Sequence, residues 1–134
     1  MSFNNLNLSE PLLKALHSKG YVTPTPIQKE AIPPILARKD VIGSAQTGTG
    51  KTAAFCIPIL EILSKGHHKK GIKSLILTPT RELAIQISEN LNLYGKNLHL
   101  RHTLIYGGVS QNQRVQEIRR GADIIVATPG GYWI

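Results

Sequence analysis

Apolar and polar positions along the chain form short alternating blocks, each with its own start or stop signal. Leu12, Leu13 and Leu16 share a helical face behind Ser9, a residue type that caps helices, and Gly20 closes the segment. Thr25 opens a second helix with Pro26 at its first position, where a missing N–H is harmless. Val41 and Ile42 lie in an apolar run that predicts a buried strand over residues 40–44, then a glycine-rich turn and a helix over residues 50–64. Ser74, Leu75, Ile76 and Leu77 read as a second strand. Thr80 begins a helix in which Leu83, Ile87 and Leu91 recur every fourth residue. Residues 102–106 read as a third strand, after which Gly107 and Gly108 turn the chain. Ser110 and Gln113 have capping-box spacing for a helix ending at Gly121, and residues 123–126 form a fourth strand. Strands alternating with helices predict an α/β fold, a parallel sheet with helices on both faces and right-handed crossovers. Neither an internal repeat nor a linker divides residues 1–134, which make one domain.

Composition narrows the class. Hydrophobic residues at 41% and charged ones at 18% exclude a disordered tail. Sixteen Lys and Arg against eight Asp and Glu give a net charge of +8, which suits a polyanionic partner. The single cysteine, Cys56, sits among Phe55, Ile57 and Ile59 and reads as a small buried hydrophobe. With no second cysteine there is no intramolecular disulfide, and a reducing cytoplasm is the expected setting. Residues 1–10 lack a basic and then apolar leader, so no secretory signal is expected. No apolar run approaches a membrane span, so no membrane is expected as partner.

The chemistry concentrates in Ala45, Gln46, Thr47, Gly48, Thr49, Gly50, Lys51 and Thr52. Gly48 and Gly50 allow backbone conformations closed to residues with a Cβ, so successive N–H groups can turn around an anion. The following helix aims its positive dipole end at the same point. Lys51 can reach β- and γ-phosphates, and the Thr52 hydroxyl can serve a Mg²⁺. A plain glycine-rich turn whose helix happens to open with lysine is the alternative. The apolar run before, the helix after and the Lys-Thr pair argue against it. The usual P-loop pattern opens with Gly, where this chain has Ala45.

The remaining motifs carry a resemblance. Residues 20–28, read as Gly-Tyr-Val-Thr-Pro-Thr-Pro-Ile-Gln with Phe3 upstream, look like the Q motif of the DEAD-box RNA helicases. In that family the P-loop opens with Ala, as at Ala45. Pro79, Thr80, Arg81, Glu82, Leu83 and Ala84, with Gln86, match motif Ia. Gly107 and Gly108 match the family's double glycine, and Thr128, Pro129 and Gly130 begin motif Ib. Five motifs in order cover nearly the whole chain. The sequence most resembles the amino-terminal RecA-like lobe of bacterial helicases of the RhlE type, with residues 1–28 as its Q-motif region.

The resemblance implies ATP and Mg²⁺ as cofactors and RNA as a partner bound with little sequence preference. Gln28 is at the right spacing to close a capping box with Thr25, and that alone would explain it. Its amide can also donate to and accept from the edge of adenine, a pattern guanine reverses, which favours ATP over GTP. Tyr21 can stack on the base or simply pack in its loop, and Thr23 and Phe3 belong to the same motif. Arg81 lies in a first helical turn, where the dipole disfavours a cation. Its partner is then either a carboxylate such as Glu82 or a nucleic-acid phosphate, which the helix N-terminus at Thr80 would also bind. Gly107 and Gly108 are a plain turn or a close approach for a ribose-phosphate backbone; Thr128, Pro129 and Gly130 offer a hydroxyl and amides to phosphate. The basic loop with His67 and His68 reads as a solvated connection without metal-ligand spacing, and no zinc is expected.

Absences qualify this. The Asp-Glu-Ala-Asp and Ser-Ala-Thr motifs do not occur in the sequence, and the family's Thr-Pro-Gly-Arg reads Thr-Pro-Gly-Gly, with Gly131. Tyr132, Trp133 and Ile134 depart from the helix that follows in the family. The expectation is an incomplete first lobe with an altered or truncated end, without turnover by itself, and with an apolar sheet edge open to self-association. Two other readings stay open: a non-catalytic nucleotide- or RNA-binding module, and a P-loop enzyme of another class, against which Gln28 and motif Ia argue.

Overall fold

Three parallel strands organise the chain: β1 (Ser74–Leu77), β2 (His102–Ile105) and β3 (Ile124–Ala127), in spatial order β1-β3-β2. The computed structural model describes residues 2–46, 48, 50–66, 71–106 and 116–129. β3 is central, which explains its unbroken apolar sequence: all four of its residues are buried. Ile124 pairs with Ser74 on one side and His102 on the other, and Ala127 with Leu77 and Ile105. The three strands therefore run in step, and Thr78, Tyr106 and Thr128 leave them at one level.

Among the described residues the sheet is accompanied by the helices α1 (Glu10–Ser18), α2 (Pro26–Leu36), α3 (Lys51–Lys65) and α4 (Arg81–Tyr94). One sheet face, through Ile76, Ile124 and Val126, joins Leu12, Leu16, Ile57, Leu60, Ile87 and Leu91 in the main core. The other face, through Ile105, Ile125 and Ala127, packs on Ile118 from the helical residues 116–119. On that second face the β1 side chains Leu75 and Leu77 stay 40% and 54% exposed. No helix among the described residues is long and apolar enough to cross a membrane.

Local signals survive well. Pro26 is the first residue of α2, Thr80 caps α4, and β1 covers the residues its sequence predicts. Cys56 is fully buried, and burial pushes its thiol up to about 12, so it behaves as a hydrophobe. One expectation fails. Residues 40–44 form no strand, and Ile42 is fully exposed. A strand needs a partner for its backbone groups, and no described strand lies beside this segment; its apolar run was a local signal for a non-local pairing. The expected capping box at Ser110 and Gln113, the basic loop at His67 and His68, and residues Gly131 to Ile134 lie outside the described residues.

Glu61 was not singled out by the sequence. It is 1% exposed in the middle of α3 and accepts a hydrogen bond from the Ser9 N–H at the start of α1, with the Lys65 ammonium 3.6 Å from its other oxygen. This carboxylate ties the amino-terminal segment to the helix that follows the P-loop.

Candidate functional site

The nucleotide end is built on two local devices. Gly48 and Gly50 take φ of 84° and 86°, in the left-handed region that favours glycine. Gly50 is the N-cap of α3 and offers no side chain to the amides of its first turn. Those amides are left for an anion, the arrangement a phosphate site needs. Lys51 opens the helix and is exposed, and Thr52 is half-buried behind it. Ala45 and Gln46 precede the turn; Thr47 and Thr49 lie outside the described residues. Because residues 40–44 are not a strand, Ala45 does not leave a strand end as the other candidate residues do.

Two Q-motif residues, Thr25 and Gln28, come up against this turn. Thr25 and Gln28 take up the reciprocal positions of a capping box, and the glutamine half is hydrogen-bonded: Thr25 N donates to Gln28 Oε1 at 2.9 Å. Thr25 Oγ1 is buried without a hydrogen bond. Gln28, 6% exposed, then reaches the P-loop, its Nε2 donating to the carbonyl oxygen of Gly50 at 3.2 Å. A Cβ on Gly50 would come within 2.4 Å of that Nε2, so any other residue there displaces the Gln28 amide in addition to straining φ. Each end of the Gln28 amide keeps one further hydrogen-bonding capacity.

Tyr21 is 45% exposed, with its ring 6.0 Å from that of Tyr94 and tilted by 60°. Burial, with Tyr21 beside it, pushes the Tyr94 phenol well above its ordinary value. Thr23 is exposed in the same loop. Phe3, at 2% exposure, belongs to the core, and its N–H donates to Val22 O at 3.1 Å. That backbone bond ties the amino-terminal segment to the Q-motif loop.

The RNA candidates lie where the strands end. Thr78 N donates to Ala127 O at 2.9 Å and Thr128 N to Ile105 O at 3.1 Å, so the ladder continues one residue past each strand. Thr78 and Thr128 are both buried, and the Thr78 hydroxyl is without a hydrogen bond. Pro79 and Pro129 follow them, both exposed. Thr80 Oγ1 accepts from Leu83 N at 3.2 Å, capping α4. Arg81 answers the question its position raised: its guanidinium carbon stands 4.7 Å from the centre of the Tyr106 ring. A cation–π contact thus holds the charge that the helix dipole disfavours. The sequence reading offered only carboxylates or phosphate and missed Tyr106, whose one signal was its place before the double glycine. Gly107, Gly108 and Gly130 lie outside the described residues.

Comparison with known proteins agrees with these features. The DEAD/DEAH box helicase family model matches residues 25–133, continuing past Gly131. The chain is 45% identical over 129 residues to the DEAD-box ATP-dependent RNA helicase RhpA of Helicobacter pylori, covering 96% of this chain and 26% of that protein. It is 47% identical over 130 residues to the ATP-dependent RNA helicase CshA of Limosilactobacillus reuteri, covering 97% and 26%. A crystal structure of a DEAD box protein from the hyperthermophile Methanococcus jannaschii superposes with a TM-score of 0.90 at 41% identity, over 98% of this chain and 36% of that one. The chain spans about a quarter of the length of the curated relatives it matches. Family model, sequence identity and fold agree: the chain belongs to the DEAD/DEAH box helicases.

Proposed function

We propose that the chain is the nucleotide- and RNA-binding first lobe of an ATP-dependent RNA helicase. The observation that carries this is the hydrogen bond from Gln28 Nε2 to Gly50 O, which joins a base-reading side chain to a phosphate-binding turn. In this reading the α3 amides and Lys51 hold the β-phosphate, and Tyr21, Thr23 and the remaining capacities of Gln28 meet adenine. The residues fit a Mg²⁺ with the phosphates, since Thr52 places a hydroxyl one residue into α3. Such an ion would offset charge on the phosphate oxygens.

Thr80, Arg81 and Thr128, with Pro79, Pro129, Gly107, Gly108 and Gly130, would hold the RNA backbone. Backbone contacts of this kind position without reading sequence. The sequence contains no Asp-Glu-Ala-Asp stretch, whose carboxylates support phosphoryl transfer in the family. We infer that ATP turnover needs residues outside this chain; phosphate release above that of Lys51→Ala would contradict it.

The test is RNA binding by fluorescence anisotropy on oligouridine and on a mixed-sequence strand. The reading expects similar affinities for both, each reduced several-fold by Arg81→Ala. Strong preference for one sequence, or indifference to Arg81, would overturn it.

A further inference from the structure

The RNA candidates Thr80, Arg81 and Thr128 follow the carboxyl ends of the strands. The amino ends carry a second feature. A cleft of about 470 Å³ opens where the chain enters β1, β2 and β3, and four cations line it: Lys73, Arg101, Arg119 and Arg120. Among the described residues Asp123 is the only carboxylate in the lining, and it is already occupied. Its Oδ1 accepts from Lys73 Nζ at 2.7 Å and its Oδ2 from Arg101 N at 2.9 Å. Burial pushes the Asp123 carboxyl up, but the hydrogen bonds from Lys73 and Arg101 outweigh this and hold it below its ordinary value, fully ionised at neutral pH. The Arg101 guanidinium leans across the cleft to Arg120 O at 3.4 Å. Arg119 and Arg120 are exposed, and Ile72, 48% exposed, gives the cleft an apolar wall.

From this charge imbalance we infer that the cleft at the amino ends of the strands is a second binding surface for the phosphate backbone of RNA. Separation makes it a distinct surface. A four-residue strand at ~3.3 Å per residue puts the two sheet ends about 13 Å apart. That exceeds a Debye length of about 8 Å at physiological salt, so neither set of cations screens or reinforces the other strongly. An anion entering the cleft meets cations from the approaches to β1 and β2 and from the turn before β3. It displaces no existing ion pair, because Asp123 keeps its partners. RNA is favoured over an acidic protein because the charge of the cleft is carried mainly by the guanidinium groups of Arg101, Arg119 and Arg120, whose forked donors suit phosphate oxygens. The inference extends the proposed function but does not share its residues.

The experiment uses the chain itself and a labelled oligouridine, with anisotropy measured across a salt series for wild type, R119Q/R120Q, R81A and the combination. Both arginines are exposed, and circular dichroism checks that the variants keep the wild-type fold. R119Q/R120Q is expected to weaken binding several-fold and to flatten the log–log salt slope by about one to two, the effect of losing two phosphate contacts. Its effect should multiply with that of R81A, while ADP binding stays unchanged. An effect of R119Q/R120Q without one from R81A would sink the strand-end RNA track and leave this surface standing. Unchanged affinity and slope in R119Q/R120Q, or an effect that disappears in the R81A background, would overturn the inference. So would polyglutamate binding that depends on these arginines while RNA binding does not, which would assign the cleft to acidic protein.

Discussion

Gln28 and Gly50 are 22 residues apart in sequence and joined by one hydrogen bond, from the glutamine Nε2 to the glycine carbonyl oxygen at 3.2 Å. The glutamine is held from the other side by Thr25 N, so its amide is fixed before any ligand arrives. The glycine is held by its own φ of 86° and by the amide pressed against it. Whatever moves the P-loop turn is therefore felt at the Q motif, and the reverse.

That coupling predicts a non-additive pair of substitutions. Gly48→Ala, with open space around it, should destabilise by about 1–2 kcal/mol through the left-handed backbone alone. Gly50→Ala should lose that amount and about 1 kcal/mol more for the displaced buried hydrogen bond. In a Gln28→Ala background the additional loss should vanish. Urea unfolding of wild type, the three single variants and the Gln28→Ala/Gly50→Ala double variant without nucleotide measures this; strict additivity of Gln28→Ala and Gly50→Ala would mean that the contact carries no energy.

Glu61 offers a second test, on the amino-terminal side. Glu61→Leu leaves the Ser9 N–H without its acceptor in a part-buried place, a loss of about 1–3 kcal/mol. Glu61→Gln keeps an acceptor oxygen and should fall well short of that. Equal losses for both, read from urea midpoints, would show that the charge beside Lys65 matters more than the hydrogen bond.

His102 makes stability depend on pH. Its ring Nε2 lies 2.6 Å from Ser88 Oγ, and burial lowers its pKa below the ordinary 6.5. As pH falls through 6.5 the unfolded chain takes up a proton that the folded chain resists, so stability present above that pH is lost on acidification. The urea midpoint should drop between pH 7.5 and 5.5 more in wild type than in His102→Gln. Parallel pH profiles would remove His102 as the cause.

What the sequence made legible was local. The four-residue run at Ser74–Leu77, the cap at Thr80 and the left-handed turn at Gly48 and Gly50 each follow from residues within one or two turns of chain. What it hid was distant pairing. Val41 and Ile42 have strand composition but no described strand to pair with. Arg81 meets Tyr106 across 25 positions, a contact that no spacing rule supplies. Phe3 stands upstream of the motif in sequence, and only the structure shows it buried and bonded to Val22. Glu61 reads as a polar position on an amphipathic helix and becomes an internal acceptor only because α1 begins against it. For the candidate site, motif order named the candidate residues, and the structure adds the connections between Thr25, Gln28 and Gly50 and between Arg81 and Tyr106.

The most direct test is calorimetric titration of the chain with ADP, ATP and GDP in Mg²⁺, beside Lys51→Ala and Gln28→Ala. The account predicts binding of ADP no weaker than of ATP, because the proposed contacts of the α3 amides and Lys51 go to the β-phosphate, and clear preference for ADP over GDP. Lys51→Ala should weaken both diphosphates, whereas Gln28→Ala should erase the preference for adenine. Equal affinity of the wild-type chain for ADP and GDP, or a strong preference for ATP over ADP, would contradict it.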